Sequence, residues 1–187
     1  MKKLAILFLS IVSVIAMSAQ EIQFDTEKSE VKWTGKKVTG EHWGFVNLKS
    51  GKLDLKNNKI ESGKFVIDMT SITDEDLEPG EWHDKLIGHL KSDDFFSVEK
   101  YKEAVLVIKG STAFSNGEAD VNGDLTIKGI THPITFKAVK TDNDYKAQIV
   151  VDRTNYDIRF RSKKFFENLG DNLIYDDFTL DVTVVSK

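Results

Sequence analysis

Apolar and polar residues alternate with a period of two along much of the chain. Phe65, Ile67 and Met69 share one face while Lys64, Val66, Asp68 and Thr70 take the other. Val121, Gly123, Leu125 and Ile127 alternate with Asn122, Asp124, Thr126 and Lys128. The pattern returns through Ile134, Phe136 and Ala138, then Tyr145, Ala147, Ile149 and Val151, and finally Phe178, Leu180, Val182 and Val184. A strand points successive side chains to opposite faces, so each stretch predicts a strand with one dry face. Further strands are expected around Val31 to Lys37, Trp43 to Leu48, Lys52 to Leu55 and Ala104 to Ile108.

Short turn signals separate these stretches: Asn57-Asn58, Glu61-Ser62-Gly63, Ser115-Asn116-Gly117 and Thr141-Asp142-Asn143-Asp144. Such residues tolerate positive φ or close side-chain turns, which predicts consecutive antiparallel strands. About eight strands in this order fit a sandwich or an up-and-down barrel. Residues 74–92 interrupt the pattern with acids, Pro79-Gly80, and then Leu86, Ile87 and Leu90 at helical spacing. A loop leading into a short amphipathic helix is expected there, covering one end of the sheet.

The first 19 residues read differently. Lys2 and Lys3 precede an apolar run from Leu4 to Met17, and the small residues Ala16, Ser18 and Ala19 follow. That order is the signature of a cleaved secretory signal, and the run is short for a membrane span of roughly 20 residues. The sequence therefore predicts a signal peptide over 1–19, one domain over 20–187, no stable membrane insertion after cleavage, and a periplasmic or secreted, bacterial destination.

Composition narrows the chemistry. The 187 residues carry a formal charge of −4, which becomes −6 without the signal, and no basic stripe, so nucleic-acid binding through counterion release is excluded. Without Cys, thiol catalysis, zinc–thiolate sites and disulfides are absent, leaving stability to burial and backbone pairing. Asp120 to Asp124 begins like a calcium loop but has Leu125 at the position that requires Gly. Ser29 to Lys32 and Ser97 to Lys100 match SxxK without its partner motifs. His42, His83, His89 and His132 show no metal-ligand spacing, and the acid pairs Asp93-Asp94 and Asp176-Asp177 come with no evident nucleophile. No catalytic residue, metal or cofactor is assigned.

Arg153 is the one charge in an unexpected place. Continuing the alternation of Ala147, Ile149 and Val151 puts it on the apolar face, where an unpaired cation is costly. A structural ion pair, a strand end open to water, or a ligand head group would each account for it.

Two blocks carry a family resemblance. His89-Leu90-Lys91-Ser92-Asp93-Asp94-Phe95-Phe96, followed by Tyr101, resembles the HLxSxDFF segment of the YceI family of exported, lipocalin-like polyisoprenoid-binding proteins. Gly123 to Ile134, reading GDLTIKGITHPI, is similar to that family's GxLTxxGxTxPV hairpin. Ser50-Gly51-Lys52-Leu53, Ser71-Ile72 and Arg153 are weaker matches in the right order, and the likeness spans roughly residues 22 to 185. Lys102 stands where the family usually has Pro, and the segment from Asp74 to Lys85 is longer than usual.

The resemblance implies an all-β, lipocalin-like antiparallel barrel of about eight strands with a short helix insertion. It also implies a long-chain isoprenoid or similar lipid along the interior, sequestered or carried without catalysis, with a homodimer possible. The lining expected from the apolar faces is Trp43, Phe45, Phe65, Ile67, Met69, Leu106, Ile108, Leu125, Ile127, Phe136, Ile149 and Leu180. Leu86, Leu90 and Phe95 are expected at one end, beside Ile87 and Phe96, with Arg153 as the polar contact. An eight-stranded barrel either fills with side chains or holds one small ligand. The competing expectation is thus a non-enzymatic, stress-associated protein-binding scaffold with a fully packed core.

Overall fold

The computed structural model describes residues 19–187; nearly all of the expected signal segment lies outside the described residues. Eight strands follow in order: β1 (Gln20–Lys37), β2 (Gly40–Lys56), β3 (Lys59–Asp68), β4 (Glu103–Ser111), β5 (Glu118–Ile127), β6 (Ile130–Lys140), β7 (Asp144–Asp152) and β8 (Ile174–Ser186). Each pairs antiparallel with the next, and β8 pairs back onto β1, so the sheet is a closed up-and-down barrel. Closure removes both edges, which an all-β chain without disulfides would otherwise expose to pairing with other chains. A helix, α1 (Glu81–Lys91), is the expected insertion between β3 and β4. Among the described residues no helix is long and apolar enough to cross a membrane.

Most strands follow the predicted alternation. Along β5 the buried positions are Ala119, Val121, Gly123, Leu125 and Ile127, and along β7 they include Tyr145, Ile149 and Val151. β2 departs from it. Two short strands were expected, but one strand runs through both stretches and its register against β3 shifts between Leu48 and Ser50. The buried set consequently changes phase, from Val46 and Leu48 before the bulge to Leu53 and Leu55 after it. An extra residue in one strand does this because the side-chain period is two.

The wall is uneven. β7 pairs with β8 over nine residues, whereas β6 and β7 are joined only at Ala138–Ala147, Val139–Lys146 and Lys140–Tyr145. Beyond that short ladder the two strands part. A 3-10 turn at Arg153–Tyr156 follows β7, and the Tyr156 ring meets His132 of β6 at 5.5 Å.

The interior holds two groups of buried residues. One, around Val31, Trp33, Leu125, Ile149 and Ile158, reaches the α1 end, with Leu90 and Phe95. The other, around Phe24, Leu53, Ile108, Val121 and Tyr145, fills the opposite end.

Candidate apolar binding site

Two cavities lie along the barrel axis. They offer about 100 and 120 Å³ to the centre of a water-sized sphere, within about 860 and 850 Å³ of space not filled by atoms, open mouths included. Val31, Ile67, Ala104, Leu125 and Leu180, from β1, β3, β4, β5 and β8, border both, so the cavities abut across a common waist. A water needs roughly 10–15 Å³ of such space and two or more polar partners, so size admits several waters but the lining offers them few partners.

Thirteen of the sixteen residues expected at the site border one cavity or both. Phe65, Leu106, Ile108, Phe136 and Ile149 surround the first; Met69, Leu90, Phe95, Ile127 and Arg153 surround the second; Ile67, Leu125 and Leu180 touch both. Trp43, Phe45 and Leu86 border neither. The inward positions of that part of β2 are Gly44, Val46 and Leu48, which puts Trp43 and Phe45 on the outer face. There the two rings meet edge to face at 5.9 Å, and the Lys32 ammonium sits 4.1 Å from the Trp43 ring. Leu86 packs against the core from α1 and serves to seat the helix. Large aromatics at alternate positions gave the wrong phase here because Val46 and Leu48, two residues apart, carried the true one.

Several lining residues lay in expected strands but had no signal that singled them out. Ala104 and Ala147 face the cavities as small residues, leaving space that larger side chains would fill. Tyr145 had an alternation signal but no reason to be singled out. It is buried beside the first cavity, edge-on to Phe24 at 5.6 Å, and its hydroxyl has no hydrogen-bond partner among the described residues. Burial pushes its pKa up.

Arg153 is 3% exposed and borders the second cavity. Its Nε–H donates to the Tyr175 carbonyl at 3.0 Å, Nη1 to Ile158 at 2.7 Å and Nη2 to Ile174 at 3.0 Å. Asp176 lies 3.7 Å from Nη2 as the counter-charge. Burial lowers the guanidinium pKa, and Asp176 and Asp152 oppose that shift; an arginine stays charged throughout. Of the three accounts open from the sequence, a buried structural ion pair is the one these contacts match, extended by three carbonyl acceptors.

Asp152 sets up this arrangement. Its side chain accepts from the Thr154 amide at 2.9 Å, capping the turn that begins at Arg153, and from Lys164 Nζ at 2.6 Å. Burial pushes its carboxyl up, but Lys164, Thr154 and the amide outweigh that and the net shift is downward from 3.8. A lowered carboxyl stabilises the fold above its unfolded pKa and loses that contribution as pH falls through the folded value. Asp152→Asn is therefore expected to cost stability at pH 7 and less near pH 2 to 3, read by urea unfolding at both. An equal loss at both pH values would mean that the charge plays no part.

His83 and His89 take different carboxylates, Asp84 and Asp94, and His89 is flanked by the Phe95 and Phe160 rings at 4.9 and 4.4 Å. That makes His89 a packing residue of the α1 end.

Comparison with known proteins agrees with this architecture. A UPF0312 protein of Vibrio parahaemolyticus is 36% identical over 97 residues, 51% of this chain and 48% of the relative. One of Pseudomonas putida is 48% identical over 50 residues, 27% of this chain and 26% of its own. The chain thus spans about half or less of the curated relatives it matches. Among solved structures, Burkholderia cenocepacia BcnA superposes with a TM-score of 0.63 at 16% identity, covering 88% of this chain and 99% of BcnA. A domain from Saccharophagus degradans, described as polyisoprenoid binding and implicated in plant cell wall breakdown, gives 0.59 at 14%, covering 89% and 97%. At these identities the likeness is one of fold. The YceI-like domain model, by contrast, matches residues 23–186, from the fourth residue of β1 to the last residue of β8, and on that span the chain belongs to the YceI-like family.

Proposed function

We propose that this protein binds one long apolar chain, an isoprenoid or similar lipid, inside its barrel and carries or sequesters it without catalysis after export. The observation that carries the reading is the pair of abutting cavities bordered by apolar faces of the strands. The Saccharophagus domain of the same fold, described as binding polyisoprenoid, supports a ligand of that class. A fully packed scaffold would leave no such space, which counts against the competing expectation.

The grip is hydrophobic. Forty carbons at about 0.8 kcal/mol each would nominally gain about 30 kcal/mol, beyond the roughly 18 to 21 kcal/mol at which affinities saturate. Ordering of the chain and incomplete burial absorb the difference. Because apolar burial has no direction, selection falls on length and shape more than on the head group.

Native mass spectrometry of gently purified protein, followed by lipid extraction, tests this directly. One bound lipid per chain is the expected result; protein that is ligand-free and also ignores prenyl lipids added in vitro overturns it. Export is tested on the same sample, since a mature chain beginning near residue 20 in the extracytoplasmic fraction is expected.

A further inference from the structure

The segment after β3 runs back along β2. The Thr73 amide donates to the Phe45 carbonyl at 3.0 Å, and the Glu75 amide to the Trp43 carbonyl at 2.9 Å. Trp33 Nε1 donates to the Thr73 carbonyl at 2.9 Å. Contact is so close at Gly44 that a Cβ there would sit 2.1 Å from the Thr73 oxygen, so only glycine fits.

This seating brings three donor groups together outside the lipid site. His42 Nδ1 lies 2.8 Å from Asp76 Oδ2, and the other Asp76 oxygen accepts from the Trp43 amide at 2.7 Å. Asp74 is 5% exposed; its Oδ1 accepts from the Leu77 amide at 3.0 Å, and its Oδ2 is buried facing the Asp76 carboxylate, with no donor group of another residue beside it among the described residues. One donor atom from each of the three residues lies within 4.8 Å of the others. A buried carboxylate oxygen facing another carboxylate is a costly arrangement unless a cation or a proton lies between them.

We propose that His42, Asp74 and Asp76 bind a zinc ion that ties the segment after β3 to β2. One imidazole with two carboxylates is a nitrogen–oxygen set that suits zinc, which takes His at about 2.0–2.1 Å and carboxylates at about 2.0–2.2 Å. Calcium prefers six to eight oxygens and has little use for imidazole. The His42 and Asp76 side chains are 24% and 21% exposed, which leaves one side of the site open for a water as the fourth ligand and lets both adjust toward the ion. The role is structural: Trp33, Val46 and Ile72, beside the tied segment, border the second cavity. This inference does not depend on lipid binding.

The test uses the untagged chain, stripped with a chelator and titrated calorimetrically with zinc chloride and, separately, calcium chloride. One zinc per chain is expected, with no calcium binding at the same concentrations and with a rise in Tm on adding zinc. His42→Ala and Asp76→Asn should each weaken zinc binding at least about tenfold, as loss of a ligand exceeds loss of an outer partner, and should abolish the Tm rise. The proposal is overturned if wild-type chain takes up no stoichiometric zinc, if calcium binds in preference, or if His42→Ala binds zinc as wild type does. Asp74→Asn separates the remaining case, because its amide can donate to Asp76 in place of a shared proton. If that variant is more stable than wild type while zinc neither binds nor stabilises the wild type, a proton occupies the site and the proposal fails.

Discussion

Ala104→Phe is expected to weaken binding of the proposed apolar chain more than a hundredfold while leaving the barrel folded. Ala104 is buried on β4 opposite Ile67 of β3 and belongs to the waist that both cavities share. A phenyl ring there occupies the room of roughly four chain carbons, each contributing about 0.8 kcal/mol when buried, so the loss is about 3 kcal/mol, or more than a hundredfold in affinity. Overpacking a full core costs about 1–3 kcal/mol, and the open space beside Ala104 keeps the cost at the low end. Val107→Phe on the same strand is the control, since Val107 is 40% exposed on the outer face. Native mass spectrometry and titration with a fluorescent prenyl chain read both variants. A folded Ala104→Phe protein that binds the fluorescent prenyl chain with wild-type affinity would place the ligand elsewhere.

Arg153→Met should damage the fold itself. The substitution keeps an unbranched apolar stem but removes every donor, leaving the carbonyls of Ile158, Ile174 and Tyr175 without their partner. It also leaves Asp176, whose side chain is 12% exposed, with Lys164 Nζ at 3.9 Å as its one remaining cation among the described residues. Breaking a buried pair by removing one member typically costs about 3–5 kcal/mol, because the other charge stays buried. Urea unfolding is expected to show a loss of that size. Adding Asp176→Asn should return part of it, since the uncompensated charge is then gone. If the single variant loses less than about 1 kcal/mol, the size of an ordinary hydrogen bond, then Arg153 is free enough of the fold to serve a head group instead.

The strands that could be read from the chain are those with a simple ladder. In β5, β6, β7 and β8 the apolar positions named from alternation are the inward ones, and the β5–β6 and β7–β8 registers run without a shift. In β2 the reading failed at Trp43 and Phe45. There the large aromatics alternate on the outer face while Val46 and Leu48 point inward, and only past the bulge after Leu48 do odd-numbered positions such as Leu53 and Leu55 turn in, a change that no period-two pattern announces. The candidate site divides the same way. Large apolar residues such as Phe65, Leu125 and Leu180 were visible as one dry face, whereas Ala104 and Ala147 matter for the volume they do not fill. Asp74 lay in a stretch read only as an acidic loop, and its burial comes from the way residues 73–76 settle on Gly44.

Most of the strand content, the antiparallel order and the amphipathic insertion followed from the chain alone, because pleat, turn chemistry and helical spacing act between residues a few positions apart. So did the prediction that Arg153 must be compensated. Of the four turn signals, Glu61-Ser62-Gly63 misled, since it lies within β3 and pairs with β2. Whether the sheet became a sandwich or a barrel was decided by β8 meeting β1, a contact between the two ends of the domain. The partners of Arg153 come from 5, 21 and 22 residues further on, and the donors of the His42 cluster lie 32 to 34 positions apart from it in the chain. Such arrangements exist only once the barrel has closed, because empty volume and convergent polar groups are properties of the packing between strands and of no strand by itself.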